Sequence, residues 1–551
     1  MNGKYRLTTL GCKVNQYESQ LLRQTLEAAG FTAAVKGEPH DIAVVNTCAV
    51  TNEATRKSRQ SIRSLSRKGT TPVVVVGCYA SAERERIGRI DGVMAVAGHE
   101  HDAVKSLRDC LDRLADGHSR LRSPKDHPNS MIDSHSPAPK GAGADQYAAD
   151  QYAADQYALS GEADQIPGRS DQTRTYEFDH RQLNDDGAEG TLLPLTVNGR
   201  SADSMSIPSP LPIVNTIDEM PGRIDSFAGH QRAFLKIQDG CDAYCTYCII
   251  PQLRPELQSK SIDAAVDEAT GLVRAGHREI VLTGIFLGAY GRETALRRRW
   301  NSPAVSPLAQ LVDTLARIEG LDRLRLSSLE PGDIDADLLA VVADHENCVP
   351  HFHLPLQSGS AEILRRMNRQ YTRTDYLNMI DQVRTALHQP AISSDIIVGF
   401  PGESDQDFLD SLEVARHAEF CKIHAFPFSP RAKTAAAKWT REFVPPSVIK
   451  RRMDQLREIE QETSFAFRSR LVGFCERLIV ESVTKEAIVS GHADRFVELT
   501  AFAPNTVKGD LLNVLVTDAT PGRTHAQVID HNHQTVLPDL AVPGQSMQRG
   551  L

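Results

Sequence analysis

The chain has 551 residues, of which 40% are hydrophobic, and a formal net charge of −9. That length exceeds what one core can serve and implies two to four domains, while the absence of any run of about 18 apolar residues argues against a membrane-spanning helix. Ten cysteines are too sparse for a disulfide scaffold and "MNGKYRLTTLGCK" lacks the apolar segment of a secretory leader, so the expected location is the reducing cytoplasm, where cysteines act as ligands or nucleophiles.

From the N-terminus, "KYRLTTLGC" reads as a strand then a loop, and "YESQLLRQTLEAAG" as a helix closed by Gly30. "DIAVVNTCAV" and "PVVVVGCYA" are strands flanking the helical "NEATRKSRQSIRSLSRKG". Their continuous valine runs suit a parallel sheet buried on both faces, so residues 1–115 read as an open parallel α/β domain. Residues 116–226 follow as a low-complexity acidic linker, expected to be mostly disordered. "ADQYA" occurs there three times in tandem, and between Met131 and Ser226 sixteen Asp/Glu face six Lys/Arg. The acidity therefore resides in the linker, and the rest of the chain is close to neutral, which leaves room for a nucleic-acid partner.

After the linker, strands "AFLKIQDG", "EIVLTGIF", "RLRLSSLEP", "HFHLPLQSG", "SSDIIVGFPGE" and "KIHAFPFSPR" alternate with helical stretches, among them "AEILRRMNRQYTRTDYLNMIDQVRTAL" read as one. Six βα units over residues 227–464 point to a partial (β/α)6 barrel. Residues 465–536 read as a small all-β module, and 537–551 as a tail.

Six of the cysteines fall into two patterns. Cys12, Cys48 and Cys78 each end a strand of the N-terminal domain. In an open parallel sheet those ends line one crevice, so the three thiolates read as one metal site. Cys241, Cys245 and Cys248 form Cys-x3-Cys-x2-Cys just after the first barrel strand. Structural zinc is closed by four ligands, whereas three thiolates suit a 4Fe–4S cluster with one iron left open. A zinc knuckle is the plain alternative. Cys110, Cys348, Cys421 and Cys475 show no metal spacing and read as core residues.

The Cys241–Cys248 motif, with Tyr247 beside its last cysteine, resembles the radical S-adenosylmethionine (SAM) signature, in which SAM chelates the open iron. Taken with "LTTLGCKVNQYES", "VVNTCAVTNEATRKSRQ", "VVVVGCYA", "LRLSSLEP", "HFHLPLQSGS", "DIIVGFPGE" and "FPFSPR", the chain resembles the radical-SAM methylthiotransferase family throughout except for the linker. The resemblance implies two 4Fe–4S clusters, one on Cys241, Cys245 and Cys248 that cleaves SAM to a 5′-deoxyadenosyl radical, the other an auxiliary cluster on Cys12, Cys48 and Cys78 that holds the transferred sulfur, with a second SAM as methyl donor. It also implies a C-terminal RNA-binding TRAM-like barrel and a tRNA substrate; a flavodoxin- or ferredoxin-type electron donor and a monomer are the expected partner and state. "GCKVNQYES" looks most like the branch that modifies carbon 2 of N6-threonylcarbamoyladenosine at position 37. The isopentenyladenosine branch is the alternative substrate, and an RNA-binding protein with structural clusters is the rival from another class.

For Thr283, Gly284, Ser328, Glu330 and Gln357, all at barrel strand ends, the resemblance implies places near SAM; capping and turns are the plain readings. The turns at Gly359 and at Gly399 to Gly402 are read the same way. The Arg56, Lys57, Arg59 and Arg63 run is a solvated face or, on an RNA enzyme, a set of phosphate contacts; Arg297–Arg299 and Arg365, Arg366 and Arg369 are read alike. Arg254 follows the cluster loop where the family commonly has Arg-Gly; Pro255 after it, and Lys260 in place of a usual arginine, depart from that pattern. His351 and His353 share one side of a strand, where packing or support of a nearby cluster are the two readings.

Overall fold

The computed structural model describes residues 3–35, 37–67, 71–99, 103–115, 222–228, 231–300 and 306–529. All of these belong to one compact unit; a second unit, residues 128–214, falls wholly outside them. So do the ADQYA repeats, most of the expected linker and the 537–551 tail.

The N-terminal elements are β1 (Gly3–Thr9), α1 (Lys13–Ala28), β2 (Phe31–Ala33), β3 (Ile42–Thr47), α2 (Asn52–Ser66), β4 (Val73–Gly77), α3 (Cys78–Ala82), α4 (Arg84–Gly88), β5 (Val93–Ala97) and α5 (Ala103–Ala115). Strands pair in parallel in the order β2-β1-β3-β4-β5. The valine runs explain the layering. Ile42, Val44, Val74 and Val76 pack on one face with Leu22, Leu26 and Leu107. Ala43, Val45, Val73 and Val75 pack on the other with Ile62 and Ile87. Alternation with period two thus fills both layers, and each fully buried valine contributes about 1.5–3 kcal/mol. The short β2 and β5 at the sheet edges escape a reading based on apolar runs, because β5 is only half-buried.

The central region runs β6 (Arg232–Asp239), α6 (Ile250–Leu253), β7 (Gln258–Ser259), α7 (Ile262–Arg274), β8 (Glu279–Gly284), α8 (Pro307–Ala316), β9 (Arg323–Leu326), α9 (Ala336–Asp344), β10 (His351–His353), α10 (Ala361–Arg366), α11 (Arg373–Ala386), β11 (Ala391–Val398), α12 (Asp405–His417), β12 (Lys422–Pro427) and α13 (Pro446–Arg470). Parallel ladders join β6-β8-β9 and β10-β11-β12, with β7 antiparallel on β6. Single bridges, Leu324 to Cys348 and Ser328 to His353, carry the order across from β9 to β10. The stretch read as one helix after the fourth strand is two. Asn368 has φ of 58°, and Thr372 with Asp375 forms a capping box that starts α11 afresh.

Packing sorts the strands' side chains. Ala233, Leu235, Ile280, Leu282, Leu324, Leu326, Phe352, Ile392 and Ile396 join the large core under the helices. Their alternates, including Lys236, Gln238, Glu279, Thr283, Arg325, His353 and Asp395, share the opposite, polar face. Packed residues begin before 227: Ile224 is fully buried, and the Gly222 carbonyl accepts from Lys260 Nζ at 3.1 Å.

The C-terminal strands β13 (Cys475–Val483), β14 (Ile488–Ala493), β15 (Glu498–Phe502), β16 (Leu511–Thr520) and β17 (Arg523–Val528) close into a barrel, β13-β14-β15-β17-β16. It begins only at Cys475, because α13 continues through position 465 to Arg470. The barrel docks through buried charge. Arg323 pairs with Glu279 and Asp494, and Arg325 pairs with Glu279 and reaches the Asp494 carbonyl. No described helix is long and apolar enough to cross a membrane.

Candidate functional site

The strand order places the N-terminal cysteines. In a 2-1-3-4-5 sheet the crossovers change direction between β1 and β3, and the crevice at their carboxyl ends is the ligand site. Cys12 follows β1 as the residue before α1, Cys48 follows β3, and Cys78 opens α3 after β4. Gly11, at φ of +106°, lets the chain pass close: a Cβ there would lie 2.8 Å from the Cys48 Cβ.

Polar side chains tie the three loops together. Asn15 Nδ2 donates to the carbonyls of Leu10 (2.7 Å) and Thr47 (2.9 Å). Asn46 Nδ2 donates to the Asn15 carbonyl, and Thr47 Oγ1 to that of Val76. Ser58 of α2 accepts from the Cys48 amide at 3.2 Å. His99 Nε2 lies 3.4 Å from Cys78 Sγ; no spacing rule in the sequence points to it. Burial pulls the His99 imidazole down to about 4 and pushes the Cys78 thiol up to about 12, so ligation of a metal there must displace a proton.

The second trio lies in the loop from β6 to α6. Gly240, at φ of +79°, has no room for a Cβ against the Glu256 carbonyl. The Cys241 amide donates to the Arg254 carbonyl (3.0 Å), Thr246 N to the Met367 carbonyl (3.0 Å), and Ala436 N to the Thr246 carbonyl (2.9 Å). Asn368 Nδ2 donates to the Tyr244 carbonyl at 3.1 Å. Arg369 Nη1 lies 3.2 Å from Cys245 Sγ and 3.3 Å from the Tyr247 hydroxyl. Burial pushes the Cys248 thiol up to about 12.

Neither trio is gathered for a single ion. Among the described residues, the one group of metal-ligating side chains whose donor atoms all lie within 4.8 Å is His353, Asp395 and His424. Three sulfurs on one tetrahedral zinc would stand about 3.8 Å apart, given a Zn–S bond of about 2.3 Å. Each set supplies three thiols, the first from three loops tied by side chains and the second from one loop held by backbone hydrogen bonds, and three thiols are the donor set of an iron–sulfur cluster held at three corners.

Arg254 joins the two halves. Its carbonyl holds the Cys241 amide, and its buried guanidinium pairs with Asp239 and with Glu18 of α1, both at 2.8 Å. Lys236 pairs with the same two carboxylates. Burial alone would raise Glu18, but Arg254 and Lys236 outweigh it and hold the carboxyl at about 2. Lys260 instead pairs with Glu268, beside the Tyr17 hydroxyl. Lys260, which stands in place of the family's usual arginine, is therefore engaged with a carboxylate, a hydroxyl and a carbonyl.

Other expected site residues are placed as follows. Thr283 is buried at the end of β8, and Gly284 abuts Gln238, whose Oε1 accepts from the Phe286 amide and whose Nε2 donates to the Gly240 carbonyl. Gln238 had no sequence signal. Ser328 is exposed and bridges His353; Gln357, at φ of +62°, bridges Ile396. Tyr247 packs edge-on against Phe400. The Glu330 carboxylate is taken up by Arg297 and Arg369. That corrects two expected phosphate contacts: Arg297 and Arg369 turn inward, because Glu330 and Asp333 need buried cations. Arg298 and Arg299 remain exposed, Arg365 pairs with Glu362, and Arg366 with Glu442. On α2, Arg56, Lys57 and Arg63 are exposed and Arg59 is half-buried. Arg56, Arg59, Gln60, Arg63, Ser64 and Arg67 line a groove of about 450 Å³.

Residues 4–98 match an uncharacterised protein family, UPF0004, and residues 235–415 match the radical SAM superfamily. A threonylcarbamoyladenosine tRNA methylthiotransferase, MtaB, from Chlamydia pneumoniae is 30% identical over 94% of this chain and 95% of that protein. The protein of the same name from Thermotoga maritima is 29% identical over 90% of each. A tRNA-2-methylthio-N(6)-dimethylallyladenosine synthase from Erythrobacter litoralis is 28% identical over 96% of this chain and 97% of that protein. With both cysteine trios at strand ends and similarity that spans nearly the whole chain, the protein belongs to the radical-SAM methylthiotransferases.

Proposed function

We propose that the enzyme transfers a methylthio group to carbon 2 of N6-threonylcarbamoyladenosine at position 37 of tRNA. The observation that carries this reading is the pair of cysteine trios joined through Arg254, together with similarity to methylthiotransferases over nearly the full length. Cys241, Cys245 and Cys248 would hold one 4Fe–4S cluster and Cys12, Cys48 and Cys78 a second, each with an iron open to SAM or substrate. When bound, these clusters with SAM supply one-electron chemistry at an unactivated carbon and the sulfur and methyl to be transferred.

The chain's own part is positioning. Asn15, Asn46 and Thr47 hold the auxiliary loops; Gln238, Asn368 and Arg369 hold the SAM-side loop; Glu18, Asp239 and Arg254 keep the two in register. Thr283, Gly284, Ser328, Gln357 and Tyr247 are assigned to the surroundings of SAM, and Glu330 to orienting Arg369 beside Cys245. Arg56, Lys57, Arg59 and Arg63 are assigned to RNA phosphates, with the C-terminal barrel as a second RNA-binding surface. We read the central strands as a partial (β/α)6 barrel, the domains as divided near 115, 227 and 470, and the enzyme as a cytoplasmic monomer reduced by a flavodoxin- or ferredoxin-type donor.

The test is mass spectrometry of tRNA nucleosides from a deletion strain, complemented with wild type or with Cys245→Ala. Loss of 2-methylthio-N6-threonylcarbamoyladenosine, restored only by wild type, supports the reading. Loss of the isopentenyl counterpart instead would reassign the substrate.

A further inference from the structure

We propose that Lys13 is the counter-ion for a carboxylate on the N6 substituent of the substrate base, and thereby selects which modified adenosine is accepted; this rests on the substrate reading above. Lys13 is the first residue of α1 and directly follows Cys12, so its position is fixed relative to a sulfur ligand. It is partly buried. The charges that act on it are those of Arg325 and Arg232 on the polar face of the central strands and of Asp395 on β11.

What sets Lys13 apart is the lack of a partner. Each of the six buried lysines and arginines among the described residues has a carboxylate: Lys236, Arg254, Lys260, Arg323, Arg325 and Arg452 pair with Glu18, Asp239, Glu268, Glu279 or Glu403. Lys13 makes no ion pair or hydrogen bond with any described residue. Asp395, the carboxylate whose charge acts on it, is engaged with His353 Nε2 at 3.3 Å. Arg325 and Arg232 are held by Glu279 and Glu481. With Arg325, Arg232 and Asp395 each engaged elsewhere, Lys13 is left without a carboxylate, directly beside Cys12.

A threonylcarbamoyl group ends in a carboxylate and a hydroxyl, whereas an isopentenyl group has no polar atom. Opposite the first, the Lys13 ammonium gains a charge-assisted hydrogen bond. Opposite the second, it would lose water without compensation. A site built around a polar substrate group rejects the analogue lacking it by a large factor, so one unpaired lysine suffices for discrimination.

Equilibrium binding of the anaerobically reconstituted full chain to three anticodon stem-loops tests this. They carry at position 37 N6-threonylcarbamoyladenosine, its carboxamide, or plain adenosine. Wild type is expected to bind the acid about tenfold or more tighter than the carboxamide. Lys13→Gln is expected to abolish that ratio, and Lys13→Arg to keep most of it. An equal ratio in wild type and Lys13→Gln, or no ratio in wild type, overturns the proposal. The wild-type comparison needs no variant to fold. If wild type with SAM and reductant leaves the acid stem-loop without a methylthio group, the substrate reading itself fails; if it thiolates that stem-loop but the ratio ignores Lys13, only this assignment fails.

Discussion

Arg369 shows how one side chain can serve two structures. Its guanidinium touches Cys245 Sγ and the Tyr247 hydroxyl while pairing with Glu330. A cation and an N–H at a ligand sulfur favour the more negative, reduced form of a cluster. Arg369→Gln is therefore expected to make the reduction potential of the SAM-side cluster more negative, read by an anaerobic redox titration followed by electron paramagnetic resonance; an unchanged potential would contradict this. "MNRQYTR" shows the arginine but not its direction. In the sequence it looks like part of a basic cluster, because the Glu330 that draws it inward lies 39 positions away. Cys12, Cys48 and Cys78 were legible because the strand-ending pattern is local. His99 and Gln238 were not, since they act across 21 and 48 positions.

At the scale of elements, the long apolar runs announced their own strands. Val73–Gly77 and Ile42–Thr47 are fully buried, and a continuous apolar run is the sequence mark of that burial. Short elements were missed for the same reason: β2 and β7 have three and two residues and are defined by pairing alone. The docking of β8 and β9 on β13 and β14 was also hidden, for it depends on charges that read as surface. Glu279, buried with Arg323 and Arg325, is its centre. Removing one partner of such a network costs about 3–5 kcal/mol, so Glu279→Gln is expected to destabilise the protein by about that much in denaturant unfolding. Burial alone would raise the Glu279 carboxyl, but Arg325 and Arg323 outweigh it and hold it at about 2. An unfolded glutamate titrates near about 4.3, so between those values the folded chain binds fewer protons. The stabilisation is whole above about pH 4.5 and is lost as pH falls toward 2. Glu279→Gln should accordingly lose less stability than wild type over that window. The exposed charge of α2, assigned above to RNA phosphates, gives a separate prediction. The double change Arg59→Gln and Arg63→Gln should weaken tRNA binding and flatten its dependence on log salt by about one unit for each phosphate no longer neutralised; an unchanged slope would assign this face to solvent alone.

Across the whole molecule, two sheets present cysteines at the carboxyl ends of parallel strands, and α1 lies between them. Its Tyr17 packs in the central core, its Glu18 meets Lys236 and Arg254, and Leu22 and Leu26 pack under the N-terminal sheet. Each sheet's architecture was readable from alternating strands and helices; their fit through α1 was not, because it rests on long-range pairs. The central claim is that both trios hold clusters at once. Its most direct test is iron and sulfide analysis, with Mössbauer spectroscopy, of anaerobically reconstituted wild type and of two triple variants, Cys12/Cys48/Cys78→Ala and Cys241/Cys245/Cys248→Ala. The account predicts about eight irons per wild-type chain and about four in each variant, all as 4Fe–4S. Zinc in either site, or four irons in wild type with one variant unaffected, would contradict it.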